Sequence, residues 1–370
     1  MNKILLVSSE FPPGPGGIGH HAFSLSKQLV KMQFKLEVLS NADYSNYIEV
    51  KDFDKKQDFT IRRFKRFVVL TSLLRIFIIL YRVYKVKPKN VILTGRFSLL
   101  MSFILKIFFR KIELMAIIHG HEPIFGSKIM KELTNFSINW VDQIVAVSDF
   151  AMNNLLIKTR ENIKCTVIPN GIDLDYLKSW ELGKEDSILE GFPILLTVGH
   201  ISKRKGQHRV IKALPVLLNL YPDIKYHMIG RGIDRIEFEL LAKNLGVENS
   251  CVFHEPVKNH HDLGKFYNNA DVFMLLSENQ KNGDVEGFGI VALEANFFGL
   301  PVIGAVGSGV KDAVNHLKSG VLVEGDVPSE ILHALKYILD NKKSLRESSV
   351  EWAYNFNWNN IASRYKEFFV

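Results

Sequence analysis

The chain has 370 residues, which is enough for two domains of ordinary size, each with its own core. Hydrophobic residues make up 47% of it and charged residues 23%, a composition that is typical of a globular protein and excludes a disordered one. The net charge of +8 is concentrated in residues 1–180, which contain 26 Lys and Arg against 15 Asp and Glu, whereas the remainder contains 21 against 24. Cys165 and Cys251 have neither pairing nor metal-ligand spacing, which fits a reducing cytoplasm.

Short apolar, β-branched runs alternate with helical patterns along almost the whole chain. In the first half the predicted strands are Ile4–Ser8, Leu36–Leu39, Val91–Thr94, Leu114–His119, Gln143–Val147 and Thr166–Ile168. In the second half they are Ile194–Val198, Lys225–Ile229, Cys251–Phe253, Val272–Leu275, Pro301–Gly304 and Gly320–Val323. This alternation predicts an α/β fold in which parallel sheets are covered by helices on both faces. The apolar run in residues 1–9 is too short for a signal peptide and predicts the first strand.

The loop after the first predicted strand is rich in glycine and proline, and a helix is predicted from about His20. Gly14, Gly16 and Gly19 match the dinucleotide pattern G-x-G-x-x-G, but residues 10–13 separate them from the strand and three prolines stiffen the loop. The loop therefore favours close approach of a ligand to the backbone over an NAD site. A plain strand-to-helix turn would also explain two of the glycines.

Residues 59–111 contain 13 basic residues and no acidic one, interleaved with apolar segments at 68–84 and 99–109. Neither segment has the uninterrupted run of about 20 apolar residues that a membrane span requires. Amphipathic segments with Lys and Arg at their margins bind anionic bilayers, so we expect this region to contact an anionic membrane surface. The alternative is that both segments are ordinary helices on the first sheet, with solvated basic faces.

His119 ends a predicted buried strand, at the place where open α/β sheets bind ligands. No metal site is predicted, because His119-x-His121 and His260-His261 lack a convincing third ligand. The sequence Asp173-x-Asp175 predicts a turn and a helix start rather than a metal–nucleotide site.

Between Asp175 and Pro193 the chain becomes polar and acidic, and this stretch is the predicted linker. We expect a first domain at 1–180 and a second at 181–351. Two Rossmann-like domains facing each other across a cleft would follow. Residues 352–370 are rich in aromatic side chains, have a helical pattern, and are expected to pack back on the first domain.

A loop with three cations, Lys203, Arg204 and Lys205, follows the predicted strand Ile194–Val198 and ends at Gly206. Cations at a strand end suit a diphosphate leaving group, because they neutralise the charge that develops as the bond breaks. A solvated basic loop would have the same pattern.

Glu286 and Glu294 bracket a glycine-containing turn that leads into an apolar stretch. Residues 288–298 have helix-forming character and no proline, so the turn is predicted to open a helix. The unpaired amides and positive dipole end of such a helix bind phosphate well. Carboxylates on either side of a bound diphosphate would hold the hydroxyls of a sugar and a ribose, so the sequence predicts a nucleotide-sugar site.

In this order, the motifs resemble those of the family 4 retaining glycosyltransferases of GT-B architecture over nearly the whole chain. The resemblance is carried by Gly16-Gly17-Ile18-Gly19, His119-Gly120-His121-Glu122, Val145-Ala146-Val147-Ser148, residues 167–173, the loop 199–206 and the double-glutamate motif. It implies that Glu286 binds the hydroxyls of the donor sugar, that Glu294 binds the ribose, and that His119 lies beside the transferred sugar.

The same resemblance implies the remaining donor contacts. Arg204 and Lys205 are expected to hold the diphosphate, together with backbone amides of the turn before the predicted helix. His200 stands where the family commonly has arginine, so either His200 faces the diphosphate and neutralisation weakens at high pH, or Arg204 substitutes for it. The donor-binding residues implied are Gly17, His200, Arg204, Lys205, Gly230, Arg231, Phe288, Gly289, Ile290 and Glu294, and the catalytic residues are Glu286, His119 and Lys205.

The implied reaction transfers a hexose from a nucleotide sugar, with retention and without a metal or another cofactor. The acceptor is expected to be a glycan or a lipid-linked molecule in the assembly of cell-surface polysaccharide or lipopolysaccharide. The departing phosphate oxygen would itself take the acceptor's proton, so the protein supplies positioning and electrostatic stabilisation. We expect a cytoplasmic enzyme that is attached peripherally to the inner face of the cell membrane.

Three other functions compete with this one. A nucleotide-sugar epimerase on the same two-domain plan would form its product without an acceptor. A nucleic-acid-binding protein, suggested by the pI of about 9.2, is disfavoured because the basic residues alternate with aliphatic runs rather than with stacking aromatics. An NAD-dependent oxidoreductase is the weakest alternative, because the glycine loop has the wrong context.

Overall fold

The structure, a computed structural model, describes residues 2–42, 47–64, 70–155, 163–180, 189–257 and 259–369. The chain folds into two compact units. The first contains residues 1–171 and 358–370, and the second contains residues 172–357.

Strands and helices alternate through the first unit. Within its described residues the elements are β1 (Lys3–Ser8), α1 (Gly17–Lys31), β2 (Lys35–Asn41), α2 (Tyr47–Lys55), β3 (Thr60–Phe64), α3 (Leu70–Val86), β4 (Asn90–Thr94), α4 (Arg96–Phe108), β5 (Glu113–Ile118), α5 (Lys128–Ile138), β6 (Gln143–Ala146), α6 (Asp149–Asn153) and β7 (Lys164–Val167). The strands form one parallel sheet in the order β3-β2-β1-β4-β5-β6-β7. The order reverses between β1 and β4, as in a doubly wound Rossmann-like sheet.

The central strands of this sheet are buried on both faces, which is why they are continuous apolar runs. In β1, residues 4–8 are all buried, and in β4 all five residues are buried. The edge strand β3 is absent from the predicted strands, because Arg62 and Arg63 interrupt its apolar pattern. Among the described residues its one strand partner is β2, and Arg62 and Arg63 form ion pairs with Glu37 and Asp54, at 2.9 and 2.7 Å.

The second unit has the same alternation. Its elements among the described residues are α7 (Leu174–Lys178), β8 (Ile194–Val198), α8 (Gln207–Leu218), β9 (Lys225–Ile229), α9 (Arg235–Asn244), β10 (Cys251–His254), α10 (His260–Asn269), β11 (Val272–Leu275), α11 (Ile290–Phe297), β12 (Val302–Ala305), α12 (Val310–Ala313), β13 (Gly320–Val323), α13 (Pro328–Asp340) and α14 (Lys342–Tyr354). A parallel sheet in the order β10-β9-β8-β11-β12-β13 reverses between β8 and β11. Tyr226 and Met274 from the sheet pack with Leu214 and Leu335 from the helices to form its core.

The observed boundaries differ from those expected from composition. The first change of unit is at Gly171–Ile172 rather than at residue 180, because α7 packs on α11 of the second unit. Asp173 caps α7 by accepting a hydrogen bond from the Tyr176 N–H at 3.1 Å, which confirms the predicted turn and helix start. Residues 181–188 of the predicted linker lie outside the described residues.

The C-terminal stretch is not one helix, because residues 355–357 are not helical and separate α14 from α15 (Trp358–Lys366). Helix α15 belongs to the first unit and contacts α1, where the Tyr365 hydroxyl lies 3.2 Å from His21 Nε2. Helix α14 belongs to the second unit. In the part of the chain that the structure describes, no helix combines the length and the apolarity needed to cross a bilayer.

Candidate functional site

The candidate site of the second unit lies at the carboxyl ends of β8 and β11, the two neighbouring strands at which the strand order reverses. Open α/β sheets bind ligands at this point. The loop after β8 contains residues 199–206, and the loop after β11 contains Glu286 and leads into α11. The Glu278 N–H donates to the Arg204 carbonyl at 2.9 Å, so the two loops are joined.

A tight turn orients the cations of the loop after β8, which is called the cationic loop from here on. Gly206 ends this turn with φ +80°, and a Cβ there would lie only 1.9 Å from the carbonyl oxygen of Leu276. Glycine therefore permits both the left-handed conformation and the close approach to the β11 side. The turn buries Lys205, which is 9% exposed, whereas Lys203 points towards α9 and pairs with Glu237 at 2.8 Å.

Glu286 is held between two cations of the cationic loop. Its Oε2 lies 2.9 Å from Lys205 Nζ and also accepts a hydrogen bond from Arg204 Nη1. Arg204 has a further carboxylate neighbour, Asp284, at 3.4 Å. Burial by itself would raise the pKa of Glu286, but the positive charges of Lys205 and Arg204 outweigh it and lower that pKa to about 2. The carboxylate is therefore ionised at every physiological pH.

The second glutamate has a different environment. Glu294 lies on α11 and accepts a hydrogen bond from the Tyr267 hydroxyl at 3.2 Å. Burial raises the pKa of Glu294, and the Tyr267 hydrogen bond and the charge of Lys205 act in the opposite direction. Tyr267 is itself fixed by stacking on Phe298, with ring centroids 5.3 Å apart. Glu286 is thus hydrogen-bonded to cationic side chains, whereas Glu294 is hydrogen-bonded to a neutral hydroxyl.

The turn between the glutamates opens a helix, as predicted. Helix α11 begins at Ile290 rather than at Phe288, because Gly289 takes the left-handed conformation at the N-cap, with φ +87°. No side chain caps this end of α11, so its first amides and its dipole face outward from the helix. Phe288 is buried, and the Glu286 carbonyl accepts from the Gly309 N–H at 2.9 Å. These contacts fix the turn against the loop after β12.

Two residues expected at the donor have exposed side chains and contribute their backbones to the loops. The His200 carbonyl accepts from Gln207 Nε2 at 3.0 Å, and the Arg231 carbonyl accepts from the Ile201 N–H at 2.9 Å. Gly230 follows β9 and its N–H donates to the His254 carbonyl at 3.3 Å. Arg204, rather than the exposed His200, lies with Lys205 against Glu286.

In the first unit, His119 follows β5 directly, since the strand ends at Ile118. Its Nε2 lies 2.9 Å from Thr94 Oγ1 at the end of β4, and both Glu122 carboxylate oxygens accept from its backbone N–H, at 3.1 and 3.0 Å. Burial lowers the pKa of His119 to about 3, more strongly than the Glu122 charge raises it. His119 is therefore neutral at neutral pH, with its ring fixed by Thr94.

The glycine loop of the first unit leads into α1, which starts at Gly17, three residues before the predicted His20. Gly17 is exposed, and a Cβ there would meet nothing within 4 Å. Gly16 instead lies against the Glu10 carboxylate, where a Cβ would be 2.2 Å from Oε2. The backbone of Gly16, with φ +132°, and the nearby carboxylate therefore favour glycine at that position, whereas no neighbouring atom requires glycine at position 17.

Several site neighbours have no signal of their own in the sequence. Tyr267 and Thr94 reach the glutamate and the histidine from separate elements, so only the fold brings them there. Asp284 lies in the loop before Glu286, which the motif does not include. Glu122 was part of the histidine motif, but its bond to the backbone could not be read from the spacing.

The basic region 59–111 is less available to solvent than its composition indicates. Arg82 makes a bidentate ion pair with Glu37, with both nitrogen–oxygen distances at 2.6 Å. Arg75 is buried over the Phe97 ring, 4.2 Å from its centroid. These two arginines therefore have carboxylate and aromatic partners within the protein. Further basic residues do lie exposed at the ends of α3 and α4: Lys85, Lys87, Lys89, Arg110 and Lys111.

The described part of the chain contains no group of three or more His, Cys, Asp or Glu side chains placed to hold a metal ion.

Two family models match the chain, one after the other. The model described as glycosyl transferases group 1 matches residues 178–356, and the model described as glycosyltransferase family 4 matches residues 15–176. Together they cover most of the chain.

Curated proteins with names are similar to this chain. A D-inositol 3-phosphate glycosyltransferase of Corynebacterium urealyticum is 32% identical over an alignment of 182 positions, which covers 46% of this chain and 41% of that protein. A GDP-mannose-dependent alpha-(1-6)-phosphatidylinositol monomannoside mannosyltransferase of Mycobacterium tuberculosis is 23% identical over an alignment of 388 positions, which covers 100% of this chain and 98% of that protein. The chain spans between 41% and 62% of the length of the first three curated relatives that it matches.

Solved structures have the same fold. Anabaena HepE in complex with UDP-glucose superposes with a TM-score of 0.80 at 18% identity, over 100% of this chain and 99% of that chain. WaaG, a glycosyltransferase involved in lipopolysaccharide biosynthesis, superposes with a TM-score of 0.68 at 15% identity, over 99% of each chain. These likenesses show that the two-sheet fold of this chain is that of the solved structures.

Proposed function

The chain belongs to glycosyltransferase family 4 and has the GT-B fold, and from this premise we propose that it transfers a hexose from a nucleotide-sugar donor to a glycan or lipid-linked acceptor. The family is retaining, so the transferred sugar would keep its anomeric configuration. The single observation that carries the proposal is the position of Glu286, Arg204 and Lys205 together at the carboxyl ends of β8 and β11.

The geometry of the second unit supports a division of roles at the donor. Arg204 and Lys205 would bind the diphosphate, since a buried ammonium and a guanidinium bond phosphate oxygens with charge-assisted hydrogen bonds. The uncapped amides of α11 at Gly289 and Ile290, after the buried Phe288, would bind the same group. Glu286 would accept the hydroxyls of the sugar, and Glu294 those of the ribose.

The remaining predicted site residues would also contact the ligands. Gly230 and Arg231 would border the nucleotide, and His200 would reach the diphosphate only by turning from solvent. Gly17 offers an unobstructed helix start in the first unit. His119, neutral and oriented by Thr94, would contact the transferred sugar as a hydrogen-bonding group rather than as a cation.

In the proposed reaction, the bond between the sugar and the diphosphate breaks as the acceptor oxygen attacks. Lys205 and Arg204 neutralise the growing charge on the leaving phosphate, and a phosphate oxygen takes the acceptor's proton. The residues named would therefore act through position and charge, without a metal or another cofactor.

The test is a panel of nucleotide sugars in a thermal-shift assay, followed by transfer assays with the donor that binds. A ligand present at about one hundred times its dissociation constant stabilises the folded state by about 2.7 kcal/mol, which such an assay detects. Glu286→Ala should lose most transfer while its circular dichroism spectrum remains that of the wild type. Absence of any stabilisation across UDP-, GDP-, ADP- and dTDP-linked sugars would contradict the proposal. Product formed without an acceptor would favour an epimerase.

The acceptor and the place of action form a finer part of the proposal. The mycobacterial relative is named for a phosphatidylinositol glycolipid and WaaG for lipopolysaccharide biosynthesis, and both names support a lipid-linked acceptor here. We propose that the enzyme acts in the assembly of cell-surface polysaccharide or lipopolysaccharide, on the cytoplasmic side of the membrane.

Peripheral membrane attachment through residues 59–111 is supported by an exposed apolar stripe on α3. Leu73, Phe77 and Tyr84 are 69%, 66% and 69% exposed. With the exposed lysines at the end of the same helix, they form the kind of face that lies at an anionic bilayer. Phe77→Ser should weaken co-sedimentation with anionic vesicles at low salt, whereas Ile236→Ser, on the exposed face of α9, should not. Equal binding by both variants would contradict this attachment.

A further inference from the structure

Glu286 bonds the same cations that the donor diphosphate needs. Lys205 Nζ is 2.9 Å from Glu286 Oε2, and Arg204 Nη1 donates to the same oxygen. The Glu286 side chain is 12% exposed and that of Lys205 is 10% exposed, so the pair is shielded from solvent screening. A diphosphate cannot take up these cations fully while the carboxylate holds them.

The charges around Arg204 and Lys205 also oppose the binding of a diphosphate. Arg204 and Lys205 supply two positive charges. Glu286, within 4 Å of both, and Asp284, within 4 Å of Arg204, supply two negative ones. A diphosphate that approached this arrangement would meet a neutralised group with a carboxylate at its centre. Like charges at such distances repel strongly in a partly buried site. Binding therefore requires the Glu286 carboxylate to leave the cations.

We propose that Glu286 competes with the nucleoside diphosphate for Arg204 and Lys205, and that its exchange between these cations and the sugar hydroxyls makes the site hold the intact donor and release the diphosphate product. This inference rests on the proposed function. With the intact donor, the sugar hydroxyls bind the displaced carboxylate, so its loss of the cations is compensated. After transfer the diphosphate carries no sugar, and Glu286 returns to the cations and displaces it.

Glu294 provides a matched control in the same unit. It has the same side chain as Glu286, but it accepts its hydrogen bond from the neutral Tyr267 hydroxyl, at 3.2 Å. The glutamate-to-glutamine change is the same at both positions. A difference between the two variants in the binding of a simple anion therefore reports the direct contact with the cations rather than the general field.

The experiment measures binding of inorganic pyrophosphate by isothermal titration calorimetry to the wild type, Glu286→Gln and Glu294→Gln, with UDP, GDP, ADP and dTDP as further ligands. Pyrophosphate has neither sugar nor ribose, so it reports the cations alone. If the ion pair leaves about a tenth of the molecules competent to bind, its removal tightens pyrophosphate binding about tenfold. Glu294→Gln should stay within about twofold of the wild type, and Glu286→Gln should still lose most transfer.

Equal or weaker pyrophosphate binding by Glu286→Gln would overturn the exchange, and so would equal tightening in both variants. If pyrophosphate, UDP, GDP, ADP and dTDP all failed to bind any of the three proteins, the proposed function itself would be wrong. Should Glu286→Gln not fold, Glu286→Asp replaces it, because it keeps the charge and withdraws the carboxylate from the cations by one methylene. That variant should also bind pyrophosphate more tightly, and wild-type binding by it would overturn the inference.

Discussion

Replacing Lys205 by methionine isolates the contribution of the buried ammonium to stability and to transfer. Methionine keeps most of the apolar stem and removes the charge that lies 2.9 Å from Glu286. Breaking a buried ion pair from one side costs about 3–5 kcal/mol, because it leaves a buried charge without its partner. Arg204 remains bonded to Glu286, so we expect the low end, about 3 kcal/mol. For a unit of this size, that corresponds to a fall in Tm of about 6–12 °C.

The neighbouring lysine in the cationic loop is the control. Lys203→Met removes the same charge from a pair that is 45% and 56% exposed, and it should leave the unfolding midpoint unchanged. Urea denaturation followed by fluorescence measures both variants, and transfer assays should show a loss of about 10²–10³ in kcat for Lys205→Met. Equal stability of the two variants would refute the reasoning that Lys205 is bound into the site through Glu286. Wild-type kcat in Lys205→Met would refute its role in leaving-group stabilisation.

Three further outcomes follow from the geometry. Gly206→Ala should destabilise the second unit by at least about 2 kcal/mol in urea denaturation, since its Cβ would lie 1.9 Å from a carbonyl oxygen, whereas Gly307→Ala, with nothing within 4 Å, should not. The positive charges beside Glu286 outweigh burial and lower the pKa of Glu286 to about 2, so its ionised carboxylate stabilises the folded state above about pH 4.5 and loses this effect as the pH falls towards 2. The difference in unfolding midpoint between the wild type and Glu286→Gln should therefore shrink over that range. A constant difference would contradict this reasoning. Thr94→Val leaves His119 Nε2 buried without its partner, and should cost about 1–3 kcal/mol in the same assay; an unchanged midpoint would show that the bond is not needed.

Much of the fold could be predicted because its strands are buried on both faces. Continuous apolar runs such as Ile194–Val198 and Val272–Leu275 coincide with β8 and β11 residue for residue. The missed strand, β3, carries two arginines on a sheet edge, where periodicity is weakest. The break before α15 was also missed, because the aromatic pattern of residues 352–369 continues through it.

The candidate site could be predicted in its parts but not in its connections. The sequence places Glu286 at a turn and Lys205 in a cationic loop, and each feature has a local signal. Nothing local links two residues that lie 81 positions apart, and the ion pair between them depends on the order in which β8 and β11 pair. The ion pair between Arg82 and Glu37 is a similar case, since nothing in the sequence around Arg82 indicates that Glu37 on β2 binds it.

The discontinuity of the first unit fixes an order of events during translation. Residues 172–357 leave the ribosome before Trp358 and the rest of α15, so the second unit is available whole while the first still lacks a helix. Domains fold as units while synthesis continues, so the surface of α1 that α15 later covers stays uncovered during this interval. We therefore expect the nascent protein to expose the neighbourhood of His21 until α15 is synthesised, and this surface to be open to chaperones in that interval.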